Sequence, residues 1–97
     1  MTINKVQTGA NLTVTLDGRL DTITSPDLEL SLANLAGVTH LVLDFGKINY
    51  VSSAGLRVLL ALQKTMAKQG DMVVRNVDKM VMEVLEMSGF VDILTIE

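Results

Sequence analysis

Two adjacent serines, Ser52 and Ser53, are the residues of this chain whose position could support chemistry. They follow an apolar segment, residues 40–45, that has the character of a buried strand, and they precede a segment with apolar residues at helical spacing. A hydroxyl at the start of a helix can accept hydrogen bonds from unpaired first-turn N–H groups, and the helix dipole stabilises an anion there. The pattern therefore allows two interpretations: one serine caps the helix, or one serine carries a phosphate.

The sequence offers little other chemistry. The chain has no cysteine and a single histidine, His40, which excludes a thiolate metal site and a cluster of histidine ligands. Neither a Gly-x-x-x-x-Gly-Lys-Ser/Thr phosphate loop nor a Gly-x-Ser-x-Gly nucleophile elbow is present. We therefore expect no enzyme activity, no cofactor and no metal, and we expect His40 to be structural.

Composition fits one small globular domain over residues 1–97. Apolar residues make up 48% of the chain and charged residues 20%, while aromatic residues are only 3%, so aliphatic and methionine side chains must fill the core. The net charge of −3 disfavours direct nucleic-acid binding, which needs a concentrated basic face. The chain lacks an apolar leader and any apolar run of about eighteen residues, so we expect a cytoplasmic protein without membrane insertion.

The elements that must position the serines begin with a hairpin. Residues 3–7 and 11–16 have the pattern of two short strands, and the turn between them contains residues that tolerate positive φ. We predict that these strands are antiparallel. Asp17 and Gly18 are predicted to close the second strand.

The first helix is predicted after a loop at residues 21–24. Ser25 is the expected N-cap, Pro26 stands at the first helical position, and Gly37 is the expected stop. Its buried face should comprise three leucines, Leu28, Leu32 and Leu35. This helix leads to residues 38–45, whose continuous apolar character predicts an interior strand.

The second half of the chain continues the alternation of strands and helices. Residues 46–49 are predicted to form a turn, the helix after the serines to cover residues 54–69, and residues 72–75 to form a parallel strand. These elements, together with the hairpin, predict an α/β fold with a mixed sheet, in which an antiparallel hairpin is followed by parallel strands with packed helices.

A third helix and a short terminal strand complete the expected fold. Asn76 and Asp78 are alternative caps for this helix, and Gly89 is its expected C-terminal residue. Residues 92–96 are expected to add a short terminal strand. We interpret the three methionines of this region as adaptable core residues: Met80, Met82 and Met87.

Three short motifs resemble those of the STAS-domain anti-sigma factor antagonist family. Residues Ser52–Leu56 (SSAGL) are similar to the family's phosphorylated segment, Asp-Ser-Ser/Thr-Gly-Leu, with Ser53 at the phosphoacceptor. Residues Gly18–Asp21 (GRLD) resemble the family's Gly-x-Leu-Asp, and residues Met87–Phe90 (MSGF) resemble its closing Met-Ser-Gly turn. The chain departs from the pattern at Ser52, where the family usually has an acidic residue.

The resemblance implies a STAS fold and a partner-switching regulator. Such a regulator binds an anti-sigma factor serine kinase when unphosphorylated and so releases a sigma factor, and a serine phosphatase acts on its phosphorylated form. The implied phosphorylation site is Ser53, and the implied partner-binding residues are Asp21, Ser52, Ser53 and Gly55. The alternative is a non-phosphorylated STAS interaction subunit of a transport or sensory complex.

Overall fold

The computed structural model describes the whole chain, from Met1 to Glu97. Its strands are β1 (Thr2–Thr8), β2 (Asn11–Leu20), β3 (His40–Val51), β4 (Asp71–Arg75) and β5 (Thr95–Ile96). Its α-helices are α1 (Ser25–Ser31), α2 (Ser53–Ala67) and α3 (Lys79–Met87), and a 3-10 turn covers Phe90–Asp92. The strands form one sheet in the order β1-β2-β3-β4-β5, with β1 antiparallel to β2 and the others parallel. This confirms the predicted α/β fold with a mixed sheet.

The core lies between the helices and one face of the sheet. In β2, Leu12, Val14 and Leu16 are buried and alternate with less buried threonines, as the sequence pattern predicted. These residues join a single cluster of 22 buried residues that includes members of all three α-helices. Each parallel strand lies beside the one before it, so right-handed crossovers place every connecting helix on the same face.

The two central strands run further than the sequence indicated. The predicted strand end at Asp17 and Gly18 is wrong, and so is the predicted turn at residues 46–49, because β2 and β3 continue to pair as far as Leu20 and Val51. Shifts in register between Thr15 and Asp17 and between Gly18 and Arg19 let the strands bend while they remain paired. Gly18 has φ of +123°, a conformation that favours glycine.

Helix α1 is shorter than predicted. It ends at Ser31 rather than continuing to a stop at Gly37, although the three leucines expected on its buried face are buried. The segment after the helix is held by the amide of Gln69, which donates to the carbonyl oxygens of Leu35 at 2.6 Å and of Val38 at 2.7 Å. These bonds satisfy carbonyl groups outside a helix, so the chain needs no further helical turns here.

Helix α3 begins and ends as predicted. The carboxylate of Asp78, and not the side chain of Asn76, caps it by accepting a hydrogen bond from the N–H group of Val81 at 2.8 Å. Gly89 follows the helix in the left-handed conformation, with φ of 79°. The short strand after this turn is confirmed as β5, parallel to β4.

The interpretation of the methionines as core residues is wrong for two of the three. Met80 is 70% exposed and Met87 is 90% exposed. Helix α3 buries the face that carries Val81 and Leu85, and Met80 and Met87 lie outside that face. Methionine type alone did not indicate which side of the helix would meet the sheet.

Two further features of the fold are a contact between strand starts and the length of the helices. His40 Nδ1 contacts the carboxylate of Asp71, which joins the starts of the neighbouring strands β3 and β4. The longest helix, α2, has 15 residues. None of the helices combines the length and the apolar character needed to span a bilayer.

Candidate functional site

The loops that lead to α1 and α2 start side by side at one end of the sheet. Leu20 and Val51, the last residues of β2 and β3, are paired, and the N–H group of Ser52 donates to the carbonyl oxygen of Leu20 at 2.9 Å. Asp21 follows Leu20 directly. The sheet therefore brings together the motifs at Gly18–Asp21 and Ser52–Leu56, which lie far apart in the sequence.

Ser52 and Ser53 have different roles at the start of α2. Ser52 has an extended backbone, and its Oγ accepts a hydrogen bond from the N–H group of Gly55 at 3.4 Å. Ser53 is the first residue of the helix and is exposed. Because Ser52 is the N-cap, the hydroxyl of Ser53 is not needed for that role.

Gly55 is buried where α2 packs against the end of β2. A Cβ atom at this position would lie 2.8 Å from Leu20 Cγ and 2.9 Å from the Leu20 carbonyl oxygen. Both distances are shorter than van der Waals contact allows, so only glycine fits without movement of β2. Internal packing explains this glycine, and any effect of Gly55 on a partner would be exerted through the position of the helix start.

Asp21 caps the turn that leads into α1. Its Oδ1 accepts hydrogen bonds from the N–H groups of Ile23 and Thr24, each at 3.0 Å, and its own N–H group donates to Thr24 Oγ1 at 2.9 Å. This reciprocal pair is a capping box in which an acid replaces the usual serine or threonine and Thr24 takes the position of the usual acid. The prediction that Ser25 is the N-cap is wrong, because Ser25 is already the first residue of α1 and follows the N-cap residue Thr24. The first N–H groups of the helix donate to the backbone carbonyl oxygens of Asp21 and Thr24.

The hydrogen bonds to Asp21 also change its acid–base behaviour. The N–H group of Thr24 is the largest influence and lowers the pKa of the Asp21 carboxyl below its ordinary value, with further lowering by Ile23 and the Thr24 hydroxyl. Arg19 contributes in the same direction, with its Nε 3.5 Å from Asp21 Oδ2. The carboxyl group is therefore ionised at neutral pH and holds the turn in that form.

Arg19 and Tyr50 are two site residues that sequence reasoning missed. They are register partners on β2 and β3, and the Arg19 guanidinium carbon lies 4.1 Å from the centroid of the Tyr50 ring. Tyr50 is 41% exposed, so a large apolar side chain is presented next to the paired strand ends. Arg19 was visible inside the GRLD motif, but only the continued pairing of the strands identifies Tyr50 as its partner.

The start of α2 can accommodate added negative charge. An exposed hydroxyl stands in the first turn of a 15-residue helix, where backbone N–H groups and the helix dipole stabilise added negative charge. His40, the only histidine, begins β3 and is separated from Ser53 by the length of that strand. No group of three or more acidic or histidine side chains is placed to hold a metal ion.

Residues 2–97, nearly the whole chain, match the family model of the STAS domain. The chain belongs to the STAS-domain family. A relative from Bordetella bronchiseptica, the candidate anti-sigma factor antagonist BtrV, is 35% identical over 99 aligned positions. That alignment covers 99% of this chain and 84% of BtrV. Family membership thus extends over the complete sheet and all its helices.

Solved structures of other proteins have the same fold. The unphosphorylated form of the anti-sigma factor antagonist SpoIIAA matches with a TM-score of 0.84 and 18% identity, over 99% of this chain and 88% of SpoIIAA. A candidate anti-sigma factor antagonist from Thermotoga maritima matches with a TM-score of 0.89 and 13% identity, over 97% of this chain and 84% of that protein. At these identities the matches establish the STAS fold.

Proposed function

We propose that this protein is an anti-sigma factor antagonist controlled by phosphorylation of Ser53. In its unphosphorylated form it binds an anti-sigma factor serine kinase in the cytoplasm and so releases a sigma factor. The kinase then phosphorylates Ser53 and ends the binding, and a serine phosphatase restores the binding form. The STAS family membership and the 35% identity to BtrV support the regulatory class.

The observation that carries the proposal is the division of roles between the two serines. Ser52 caps α2, whereas Ser53 is exposed in the first turn and has no part in the cap. A phosphate adds about −1.5 to −2 charges at pH 7. Added to Ser53, this charge would lie at the favourable end of the helix dipole, so the surface changes while the helix start stays intact.

The proposed partner surface lies at the same end of the sheet. Asp21 and Ser52 continue from the paired residues Leu20 and Val51, so a partner that reaches Ser53 also meets the α1 turn. The exposed ring of Tyr50 adds apolar area beside these polar groups. The protein then acts as a substrate and a binding regulator, and the kinase supplies the catalysis.

The decisive experiment maps phosphate on three proteins. Wild type, Ser52→Ala and Ser53→Ala are incubated with the cognate kinase and ATP, and the modified residue is identified by mass spectrometry. We expect phosphate on Ser53 in wild type and in Ser52→Ala, and none in Ser53→Ala. Phosphate on Ser52, or none on either serine with a kinase that is active on a known substrate, would overturn the assignment.

Binding measurements complete this test. Ser53→Ala should bind the kinase and remain bound after ATP is added, whereas Ser53→Asp should bind weakly because its carboxylate carries part of the charge of a phosphate. Binding that ATP never alters in wild type would favour the alternative, a STAS interaction subunit that is not regulated by phosphorylation.

A further inference from the structure

One side of the sheet is not covered by any helix. The right-handed crossovers between the parallel strands place α1, α2 and α3 on the same side, so the opposite side of the sheet faces outward. Sheets of parallel strands are normally covered on both sides. Because β2 to β5 are parallel to one another, the uncovered side is suited to receive a second layer from another molecule.

A row of short side chains crosses the middle of this uncovered side. The register of the sheet aligns one residue from each strand: Val6, Thr13, Val42, Val73 and Thr95. Their sequence neighbours on β2, β3 and β4 belong to the core, so these side chains point the other way. We call the surface that carries this row the open face. None of the five side chains is long enough to prevent a second sheet from packing at the usual distance of about 10 Å.

Two pairs of polar residues flank the row on the strands β3 and β4, and their polarity is opposite. On one side of the row, the imidazole of His40 on β3 contacts the carboxylate of Asp71 on β4. On the other side, Asp44 on β3 provides the carboxylate and Arg75, its register partner on β4, provides the cation. Each pair lies two residues from the row. Donors and acceptors therefore alternate around a group of four side chains.

The charged groups on β4 remain available at the surface. The side chain of Asp71 is 68% exposed and that of Arg75 is 45% exposed. Arg75 Nε lies 3.8 Å from Glu97 Oε1, which is beyond hydrogen-bond distance. A guanidinium has five donors and a carboxylate accepts several hydrogen bonds, so each group can bind a partner in addition to its own neighbour.

The alternating arrangement makes the open face complementary to itself. A twofold axis along the row places one open face on another with antiparallel strands, so that each strand lies over its own copy. Arg75 then meets Asp71 of the second copy, and Asp44 meets His40 of the second copy. Because the axis is twofold, each of these contacts occurs twice.

A different twofold arrangement satisfies the same four groups but covers less of the sheet. An axis parallel to the strands, between β3 and β4, lays β3 over β4 and β2 over β5 of the second copy. Strand β1 then has no strand opposite it, and Val6, which is 59% exposed, stays in solvent. The axis along the row instead places β1 over β1 and covers Val6, so this arrangement buries more apolar surface.

We propose that two copies of this protein pair through their open faces, with antiparallel strands and the row of short side chains at the centre. A partner surface of one charge sign would meet a like group at some of the four polar positions, so the alternating pattern selects a second copy. Ser53 begins a helix on the other side of the sheet. The proposed dimer therefore goes beyond the proposed function and does not depend on phosphorylation.

The dimer should be weak. Val42 and Val73 are only 4% and 7% exposed in the single chain, so pairing removes little further apolar surface from water at these positions. The polar contacts set the register and contribute modestly to affinity, because they form near solvent. We expect a Kd on the order of 100 μM, as for a small transient interface.

The test is sedimentation equilibrium of the full, unphosphorylated chain from about 10 μM to about 1 mM, a range that brackets the expected Kd. The mass should rise from that of one chain toward that of two. In ¹⁵N NMR spectra over the same range, the amides of Val42 and Val73 should shift with concentration, while those of α1 and α2 should not.

Charge reversals test the register of the dimer. Arg75→Glu and Asp71→Arg should each raise the Kd at least about tenfold, because each places like charges opposite one another. The double variant again places opposite charges together in the antiparallel arrangement, so it should recover dimerisation to within about threefold of wild type. Lys64→Glu changes the net charge as Arg75→Glu does, but on the exposed surface of α2, and should dimerise as wild type does.

Three results would overturn the proposal. Wild type could remain a single chain at the highest concentration, or its concentration-dependent shifts could lie on the helices or only at the outer edge of β1. Arg75→Glu could dimerise as well as the Lys64→Glu control does, which would place the interface elsewhere. The double variant could remain a single chain although its NMR spectrum shows a folded protein, which would exclude antiparallel stacking of the open faces.

Discussion

The starts of α1 and α2 lie side by side at one end of the sheet, yet they are built differently. Before α1, the Asp21 carboxylate accepts from two backbone N–H groups, and Thr24 Oγ1 accepts a hydrogen bond from the N–H group of Asp21. Before α2, Ser52 provides one long cap bond of 3.4 Å, and the next hydroxyl, that of Ser53, is exposed. The polar side chains before α1 form hydrogen bonds within the protein, whereas the hydroxyl of Ser53 at the start of α2 is exposed.

This difference indicates which polar side chain of a motif can change its charge without loss of stability. A residue whose side chain holds the backbone cannot change its charge without a cost in stability, because the N–H groups it binds would lose their partner. Asp21 is such a residue, and Ser53 is not. Substitutions at each helix start should therefore have different effects.

Gly55→Ala should have the largest effect on stability. The added Cβ would lie 2.8 Å from Leu20 Cγ and 2.9 Å from the Leu20 carbonyl oxygen, so α2 must move away from β2. We expect a loss of about 2 kcal/mol in the free energy of unfolding, measured by denaturant titration. Helix propensity alone predicts a gain of about 0.5–1 kcal/mol, so a stabilised variant would show that the packing argument is wrong.

Asp21→Ala should lower the melting temperature by a few degrees, because it removes the acceptor for the N–H groups of Ile23 and Thr24. This differs from the expectation for an exposed loop charge, whose removal leaves stability nearly unchanged. Asp21→Asn is the matched control, since an amide oxygen can still cap the turn, and it should recover part of the loss. Equal melting temperatures for wild type and Asp21→Ala would remove the structural distinction between the two helix starts.

Substitution of the two serines separates the cap from the exposed hydroxyl. Ser52→Ala should reduce the free energy of unfolding by about 0.5–1 kcal/mol because the first turn of α2 loses its cap. Ser53→Ala should change it by less than about 0.5 kcal/mol, since it removes no cap and alanine favours helices. Denaturant titrations of both variants test this, and a larger loss for Ser53→Ala would reverse the assigned roles.

The two starts should also differ in their response to acid. The pKa of Asp21 is lowered from its ordinary value of 3.8, so its contribution to stability is present above that pH and is lost as the pH falls below it. Proton NMR should show the amide resonances of Ile23 and Thr24 moving as Asp21 is protonated. The amide of Gly55, which donates to a hydroxyl, should move little.

Asp21→Asn provides the control for this acid titration, because it should abolish the movement at Ile23 and Thr24. Asp44 contributes to acid sensitivity elsewhere in the fold. The N–H group of Gly46 and the side chain of Asn76 lower its pKa, so Asp44→Asn should leave the titration at Ile23 unchanged. A shift at Gly55 as large as that at Thr24 would contradict the distinction between the two caps.

Local sequence patterns predicted most elements but missed several of their ends. The predicted turn at residues 46–49 is wrong because glycine and polar residues are also compatible with an extended strand that has a paired neighbour. The capping box at Asp21 and Thr24 could have been recognised from its spacing, and it would have excluded Ser25 as the cap. By contrast, nothing in the sequence of α3 distinguished the exposed Met80 and Met87 from core methionines.

Local sequence patterns were sufficient to predict the α/β class, the parallel strands after the hairpin, and a polar start to α2 that contains Ser52 and Ser53, because periodicity and capping depend on nearby residues. Only the tertiary structure decided that β2 and β3 continue to Leu20 and Val51, which places Asp21 beside Ser52. Long-range strand pairing brings these residues together, so spacing along the chain could not show their proximity. The same pairing explains Gly55, since its close neighbour, Leu20, belongs to another strand.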